Sequence, residues 1–178
     1  MTSAQRFEEL YGRCYGDVER YVRRRAPHDM VTDLVADVFL VAWRRLDEVP
    51  DAEARLWLYG VARNVLANHA RGTIRARHLA ERVAANTATA LDDHADAVAA
   101  RTSIAAAFDQ LSDADQEILR LIAWEGLGIR EAAAVLDCGV TTCAMRLNRA
   151  RRRLHARMRA DPPVRIPVVA TTRKGQAL

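Results

Sequence analysis

Between Ser112 and Arg159 three short amphipathic helical patterns are separated by two tight turns, and the last pattern is rich in arginine and free of acid. Ser112 and Asp115 form an S-x-x-D start signal, in which serine caps an early helical N–H and aspartate favours the positive end of the helix. The helix that follows carries Ile118, Leu119, Ile122 and Trp124 and ends at Gly126-Leu127-Gly128. A second, short helix places Ile129, Ala132, Ala133 and Leu136 at i, i+3, i+4 and i+7, one apolar face. Asp137-Cys138-Gly139 is a turn. A third helix points Val140, Cys143, Leu147, Ala150 and Leu154 inward and leaves Thr141, Thr142, Met145, Arg146, Asn148, Arg149, Arg152 and Arg153 free. This spacing specifies a helix-turn-helix.

The charge changes sign abruptly along it. From Gly139 to Ala160 there are seven arginines and no carboxylate, whereas Phe108 to Leu136 holds six carboxylates against two arginines. Such a boundary offers one helix to a polyanion. A short helix-turn-helix followed by a basic helix suits the major groove of duplex DNA. The candidate duplex-reading set is Ile129, Arg130, Thr141, Thr142, Arg146, Asn148, Arg149, Arg152 and Arg153. The competing reading is a core helix with a solvated arginine face.

The first half of the chain is helical too. Phe7, Leu10, Tyr11, Cys14, Tyr15, Val18, Tyr21 and Val22 keep helical spacing over 4–25, ending in Arg23-Arg24-Arg25 before Pro27. A second helix over 30–46 is apolar around its circumference, with Leu34, Val35, Val38, Phe39, Leu40, Val41, Trp43 and Leu46. Two apolar stripes imply a second buried face or a docking site. A third helix over 52–71 turns Leu58, Val61, Ala62 and Val65 inward and aligns Trp57, Asn64, Asn68 and Arg71 on another stripe, flanked by Arg55 and Arg63. Aromatic, amide and guanidinium groups on one face suit unstacked bases and their phosphates. The alternative for Trp57 is burial in the core.

These patterns predict an all-α chain of two small helical domains joined by a flexible linker: 1–78, an acidic linker over 79–102, the helix-turn-helix domain over 103–160, and an extended or disordered tail over 161–178. The linker region is alanine-rich and holds Asp92, Asp93 and Asp96, too little apolar surface for a core. The formal charge of +4 matters less than its concentration in two helices. The N-terminus lacks an apolar signal core and no run approaches the ~18–20 apolar residues that span a bilayer, so the expectation is a soluble, cytoplasmic chain without membrane insertion.

In the order and spacing of its motifs the chain resembles a bacterial RNA polymerase sigma factor of the extracytoplasmic-function class, within the sigma-70 family. The resemblance covers residues 7–80 and 105–158. It rests on Asp33-Leu34-Val35-Ala36-Asp37-Val38-Phe39-Leu40-Val41-Ala42-Trp43, on Trp57-Leu58-Tyr59-Gly60-Val61-Ala62-Arg63-Asn64, and on Trp124-Glu125-Gly126-Leu127 through Arg146-Leu147-Asn148-Arg149-Ala150-Arg151. It implies that Asp33, Leu34, Asp37, Phe39, Leu40 and Trp43 dock on the β′ clamp of core RNA polymerase, with the β flap as a further contact. It implies that Arg55, Trp57, Arg63, Asn64, Asn68 and Arg71 hold the opened strand of the minus-ten element, while residues 129–153 read the minus-thirty-five element as duplex. The acidic linker would thread toward the polymerase active site or RNA exit path. An anti-sigma factor masking the same apolar surface is a further candidate partner.

The chain departs from the family pattern at Asp137, where glycine is usual, and at Gly139, where a small polar residue is usual. It also has Ala144 and Met145 where relatives often show a basic and a small polar residue, so base reading falls to Thr141, Thr142, Arg146 and Arg149. A polymerase-independent regulator would explain the helix-turn-helix alone and leave the second helix without purpose. Catalysis is not expected: His28, His69, His78, His94 and His155 are scattered, and no phosphate loop, H-E-x-x-H or nucleophile elbow is present. Cys14, Cys138 and Cys143 match no common zinc spacing and read as small core residues, and the Asp33/Asp37 pair has no histidine on its face, so no metal or other cofactor is expected.

Overall fold

In a computed structural model the described residues are 2–84 and 103–160, with side chains for 2–75 and 104–159. They form seven α-helices: α1 (Ser3–Arg23), α2 (Val31–Arg44), α3 (Ala54–Ala84), α4 (Ser103–Asp109), α5 (Asp113–Ala123), α6 (Ile129–Val135) and α7 (Val140–Ala160). No strand occurs among the described residues. Most of the expected linker and the whole tail lie outside them.

The first three helices share one core. Thr2 and Gln5 start α1 with a capping box, the Gln5 N–H donating to Thr2 Oγ1 at 3.2 Å and the Thr2 N–H to Gln5 Oε1 at 2.8 Å. Arg6 ties that start to the α2–α3 turn by donating to the Val49 carbonyl at 2.9 Å. Leu10, Cys14, Val18, Tyr21 and Val22 of α1 meet Leu34, Val35, Val38 and Phe39 of α2 and Leu58, Tyr59, Val61 and Ala62 of α3, all buried. Each such aliphatic side chain contributes roughly 1.5–3 kcal/mol on removal from water. The Tyr21 and Tyr59 rings stack at 4.7 Å.

α3 runs to Ala84, well past the expected end at residue 71. The stretch after Gly72 has no aromatic residue, but up to Ala84 it is rich in alanine and arginine and free of proline, and such residues have high helix propensity.

The second domain follows the spacing read from sequence. Ser112 Oγ accepts from the Asp115 N–H at 3.3 Å, starting α5 as expected. Gln116 then donates to the Phe108 and Leu111 carbonyls at 3.1 and 3.2 Å, satisfying backbone acceptors at the end of α4. α6 ends in a Schellman motif: the Cys138 N–H reaches the Ala133 carbonyl at 3.0 Å and the Asp137 N–H the Ala134 carbonyl at 3.2 Å. This requires a left-handed residue, and Asp137 takes that role at φ 50°. Aspartate accepts this conformation better than most residues, so the turn survives without the usual glycine. Gly139 is the N-cap of α7, its carbonyl receiving the Cys143 N–H at 2.9 Å. Cys143, Leu147 and Ala150 face the core.

Candidate nucleic-acid and docking interface

On the outward side of α7, Thr141, Arg146, Asn148, Arg149 and Arg152 are exposed and Thr142 is half-buried. Arg149 donates only to the Met145 carbonyl one turn back, at 3.4 Å. Arg153 corrects the sequence reading, which placed it among the free arginines. Its guanidinium donates to Asp115 Oδ2 at 2.6 Å, and Asp115 is buried because the Ser112 cap turns the acidic first turn of α5 toward α7. Arg157 likewise donates to Gln110 at 3.1 Å, so the end of α7 is fastened to the α4–α5 junction. In α6, Arg130 is exposed while Ile129 packs half-buried on the core.

The polar stripe on α3 forms a surface. Arg55, Asn64, Asn68 and Arg71 are exposed, Arg63 is half-buried, and Arg71 donates to Asn68. Trp57 packs against the core at half burial, and the Arg45 guanidinium lies 5.5 Å over its ring.

The apolar second helix divides cleanly. Leu34 and Phe39 are 3% exposed and belong to the core, which differs from their expected place on the docking surface: the face of α2 toward α1 and α3 claims them. Asp33 and Asp37 are exposed, as are Leu40 at 45% and Trp43 at 46%. Phe39 acts from below. Its ring meets Phe7 edge-on at 6.4 Å and Tyr11 at 4.7 Å, and Phe7 meets Trp43 edge-on at 5.1 Å. The result is a supported ridge of Tyr11, Leu40 and Trp43, rimmed by two carboxylates. Tyr11 is a member the sequence shows only as one apolar position of the first helix, at i, i+4 spacing with Phe7 and Tyr15. Among the described residues no group of three His, Cys, Asp or Glu side chains converges to hold a metal.

The model for sigma-70 region 2 matches residues 10–76 and that for sigma-70 region 4 matches residues 101–154. The chain is 32% identical over 146 residues to the RNA polymerase sigma factor CnrH of Cupriavidus metallidurans, covering 76% of each. It is 30% identical over 134 residues to the ECF RNA polymerase sigma factor EcfG of Rhodopseudomonas palustris, covering 75% of this chain and 74% of that one. The chain belongs to the sigma-70 family of RNA polymerase sigma factors. The sigma factor is a promoter-recognition subunit for RNA polymerase and not an enzyme, and the polymerase-independent reading is not favoured. Its structure aligns with CnrH in complex with the cytosolic domain of CnrY at a TM-score of 0.62, with 28% identity, over 89% of this chain and 96% of that one. RpoE of Bartonella quintana in complex with the anti-sigma factor NepR shares the fold at a TM-score of 0.59 and 22% identity, over 87% and 98% of the two chains. No helix among the described residues of the sigma factor is long and apolar enough to cross a membrane.

Regions 2 and 4 of the sigma factor are packed together, which two modules on a loose linker did not suggest. Arg25, at the end of α1, donates to Glu117 of α5 at 2.7 Å and to Glu125, just after α5, at 2.8 Å. Arg24 reaches the other oxygen of Glu125 at 2.6 Å, and the Tyr21 hydroxyl donates to Glu117 at 2.7 Å. The side chains of Arg25, Glu117 and Glu125 are only 6%, 15% and 2% exposed. Burial, reinforced by the Glu117 carboxylate, pushes the Tyr21 hydroxyl well above the ordinary tyrosine range. In sequence the Arg23–Arg25 run reads as a helix end and the two glutamates as part of the acidic stretch before α7; their complementary charge is the signal that they could meet.

The same packing sets α3 against region 4 along two cavities. A cavity of about 500 Å³ is lined by Arg45, Trp57, Arg63 and Asn64 on one side and by Val135 and Asp137 on the other. A second, of about 480 Å³, is shared by Arg63 and Arg146.

Proposed function

We propose that this sigma factor engages core polymerase through the Tyr11–Leu40–Trp43 ridge with Asp33 and Asp37 at its rim, holds opened minus-ten DNA on the α3 stripe, and reads the minus-thirty-five duplex with α7. Leu34 and Phe39 support the ridge from the core. Arg55, Trp57, Arg63, Asn64, Asn68 and Arg71 form the strand-holding set. Arg130, Thr141, Thr142, Arg146, Asn148, Arg149 and Arg152 form the duplex set, with Ile129 positioning the start of α6 and Arg153 positioning α7. The functional units are residues 1–78 and 103–160, joined by 79–102, and the chain works in the cytoplasm with polymerase.

One observation carries this reading: an exposed basic face on α7, a polar-aromatic face on α3 and a supported apolar ridge on α2 occur in one chain, with the ridge away from the cavity that α3 and α7 share. The two promoter elements lie about 25 base pairs apart, roughly 85 Å at about 3.4 Å per pair. With α3 and α7 lining one cleft, the packed arrangement does not span that distance, so promoter engagement requires regions 2 and 4 to separate. The ridge lies outside the cleft, so polymerase meets an available surface before the domains part. An anti-sigma factor, such as NepR in its complex with Bartonella RpoE, would act on the same equilibrium. Reconstituted transcription with core enzyme on a promoter library tests the reading: discrete start sites that require this chain support it, and their absence contradicts it.

A further inference from the structure

Cys138 occupies two structural positions at once. It closes the Schellman motif that ends α6, where its N–H meets the Ala133 carbonyl, and it directly precedes Gly139, the N-cap of α7. The residue before an N-cap packs against the fourth residue of the helix, the hydrophobic staple. Counted from Val140, that fourth residue is Cys143. The staple of the recognition helix is therefore a pair of thiols that pack side by side in the region 4 core, and Cys138 is near enough to help push the Cys143 thiol up. Both belong to the region 4 core, but unequally: Cys143 is fully enclosed, while Cys138 is half-exposed on the turn. Thr141 and Thr142, two of the candidate base readers, lie between them.

We propose that Cys138 and Cys143 are a reversible oxidation site, where hydrogen peroxide converts the staple into an intramolecular disulfide and alters how α7 meets duplex DNA. The half-exposed Cys138 sulfur attacks peroxide; the O–O bond breaks, an S–O bond forms, and one water leaves. The Cys143 sulfur then attacks the Cys138 sulfenic acid, the S–S bond forms, the S–O bond breaks, and the second water leaves. Two thiols are oxidised and one peroxide is reduced to two waters. Burial pushes the Cys143 thiol up, which suits it to the second step rather than the first. A thiol reductant reverses the modification by exchange.

The consequence follows from which sulfur is free to move. Cys143 is locked among core side chains, so forming an S–S bond of about 2.05 Å draws the Asp137–Gly139 turn toward α7. That shifts the N-cap of the recognition helix and with it the Thr141 and Thr142 hydroxyls. Losing one or two hydrogen bonds of ordinary net strength, about 1 kcal/mol each, corresponds to a roughly five- to thirtyfold weaker complex. The chemistry stands on the two thiols alone; its effect on binding rests on the reading of α7 given above.

The test uses the full chain treated with hydrogen peroxide. Trypsin cleavage after Arg130 and Arg146 places both thiols in one peptide, and mass spectrometry then reports the loss of two hydrogens. Duplex promoter binding is measured in parallel, and amide exchange over 137–143 gives a readout independent of DNA. The expected result is a dithiothreitol-reversible disulfide, slowed exchange at the turn and the stated loss of duplex affinity, with Cys138→Ala showing none of the three while still binding duplex when reduced. Over-oxidation of Cys138 without the bond, or a bond that leaves both exchange and affinity unchanged, overturns the proposal. If the reduced chain fails to bind duplex, the reading of α7 fails instead, and mass and exchange still decide the modification.

Discussion

Replacing Arg25 with methionine removes the one side chain, among the described residues, that reaches both Glu117 and Glu125 of region 4, while keeping much of its apolar stem. In the native chain its guanidinium donates to Glu117 at 2.7 and 3.3 Å, to Glu125 at 2.8 Å and to the Tyr21 carbonyl at 2.9 Å, and sits 3.5 Å over the Tyr21 ring. Breaking a buried ion pair from one side costs about 3–5 kcal/mol, because the remaining charge stays buried. Here Glu117 keeps the Tyr21 hydroxyl and Glu125 keeps Arg24, so the expected loss is about 2–3 kcal/mol. At about 1.4 kcal/mol per factor of ten, the ratio of closed to open chain falls roughly 30- to 150-fold. Dyes placed through non-natural amino acids at Arg44 and Arg151, both exposed and on different regions, report closure by single-molecule energy transfer without disturbing the cysteines. The high-transfer population should collapse in Arg25→Met. It should be partly retained in Arg25→Met with Glu117→Gln, since neutralising the stranded carboxylate relieves the penalty. An unchanged transfer distribution, with helix content intact, would show that the cluster does not hold the regions together.

Trp43→Ala with Leu40→Ala should weaken core-polymerase binding at least tenfold while leaving duplex binding by region 4 intact; fluorescence titration with core enzyme checks this, and equal loss of both activities contradicts the division of surfaces. Arg146→Ala and Arg149→Ala should each lower the slope of log affinity against log salt by about 0.9, read from duplex titrations at several salt concentrations. Burial, with a smaller contribution from Asp17 for Tyr59 and from Glu117 for Tyr21, raises both tyrosines, Tyr59 to about 12. Because their folded-state values are raised, the stability they contribute is fully present below about pH 10 and is lost as pH rises above it. Absorbance at 295 nm should therefore show these two phenols ionising only together with loss of helix near and above pH 12, and early ionisation of all tyrosines in a still-helical chain contradicts it.

The helix-turn-helix is legible in sequence because its signals are local. The Ser112 cap, the glycine-rich turn after α5 and the apolar spacing of α6 and α7 involve partners within a few residues, so each is visible in a short window. Asp137 shows the same principle, since one left-handed position decides the turn and few residue types tolerate it. What sequence misplaces depends on distant partners. Arg153 looks as free as Arg152 until Asp115, 38 residues earlier, is brought beside it. Leu34 and Phe39 lie on an all-round apolar helix, and only the position of α1 and α3 tells which apolar residues are enclosed. The Arg25 cluster joins groups about a hundred residues apart, where periodicity carries no information. The length of α3 is hard to see in sequence for a different reason: its far end has helical propensity without an apolar periodicity to mark it.

The measurement closest to the central claim is promoter-directed transcription by core polymerase with the wild-type chain, compared with Trp43→Ala/Leu40→Ala and Arg146→Ala/Arg149→Ala variants. Start sites that appear only with the wild-type chain are expected to lose yield through polymerase affinity in the first variant and through promoter affinity in the second. Initiation that is independent of the added chain, or equally efficient with all three proteins, would contradict the assignment of promoter recognition to these surfaces.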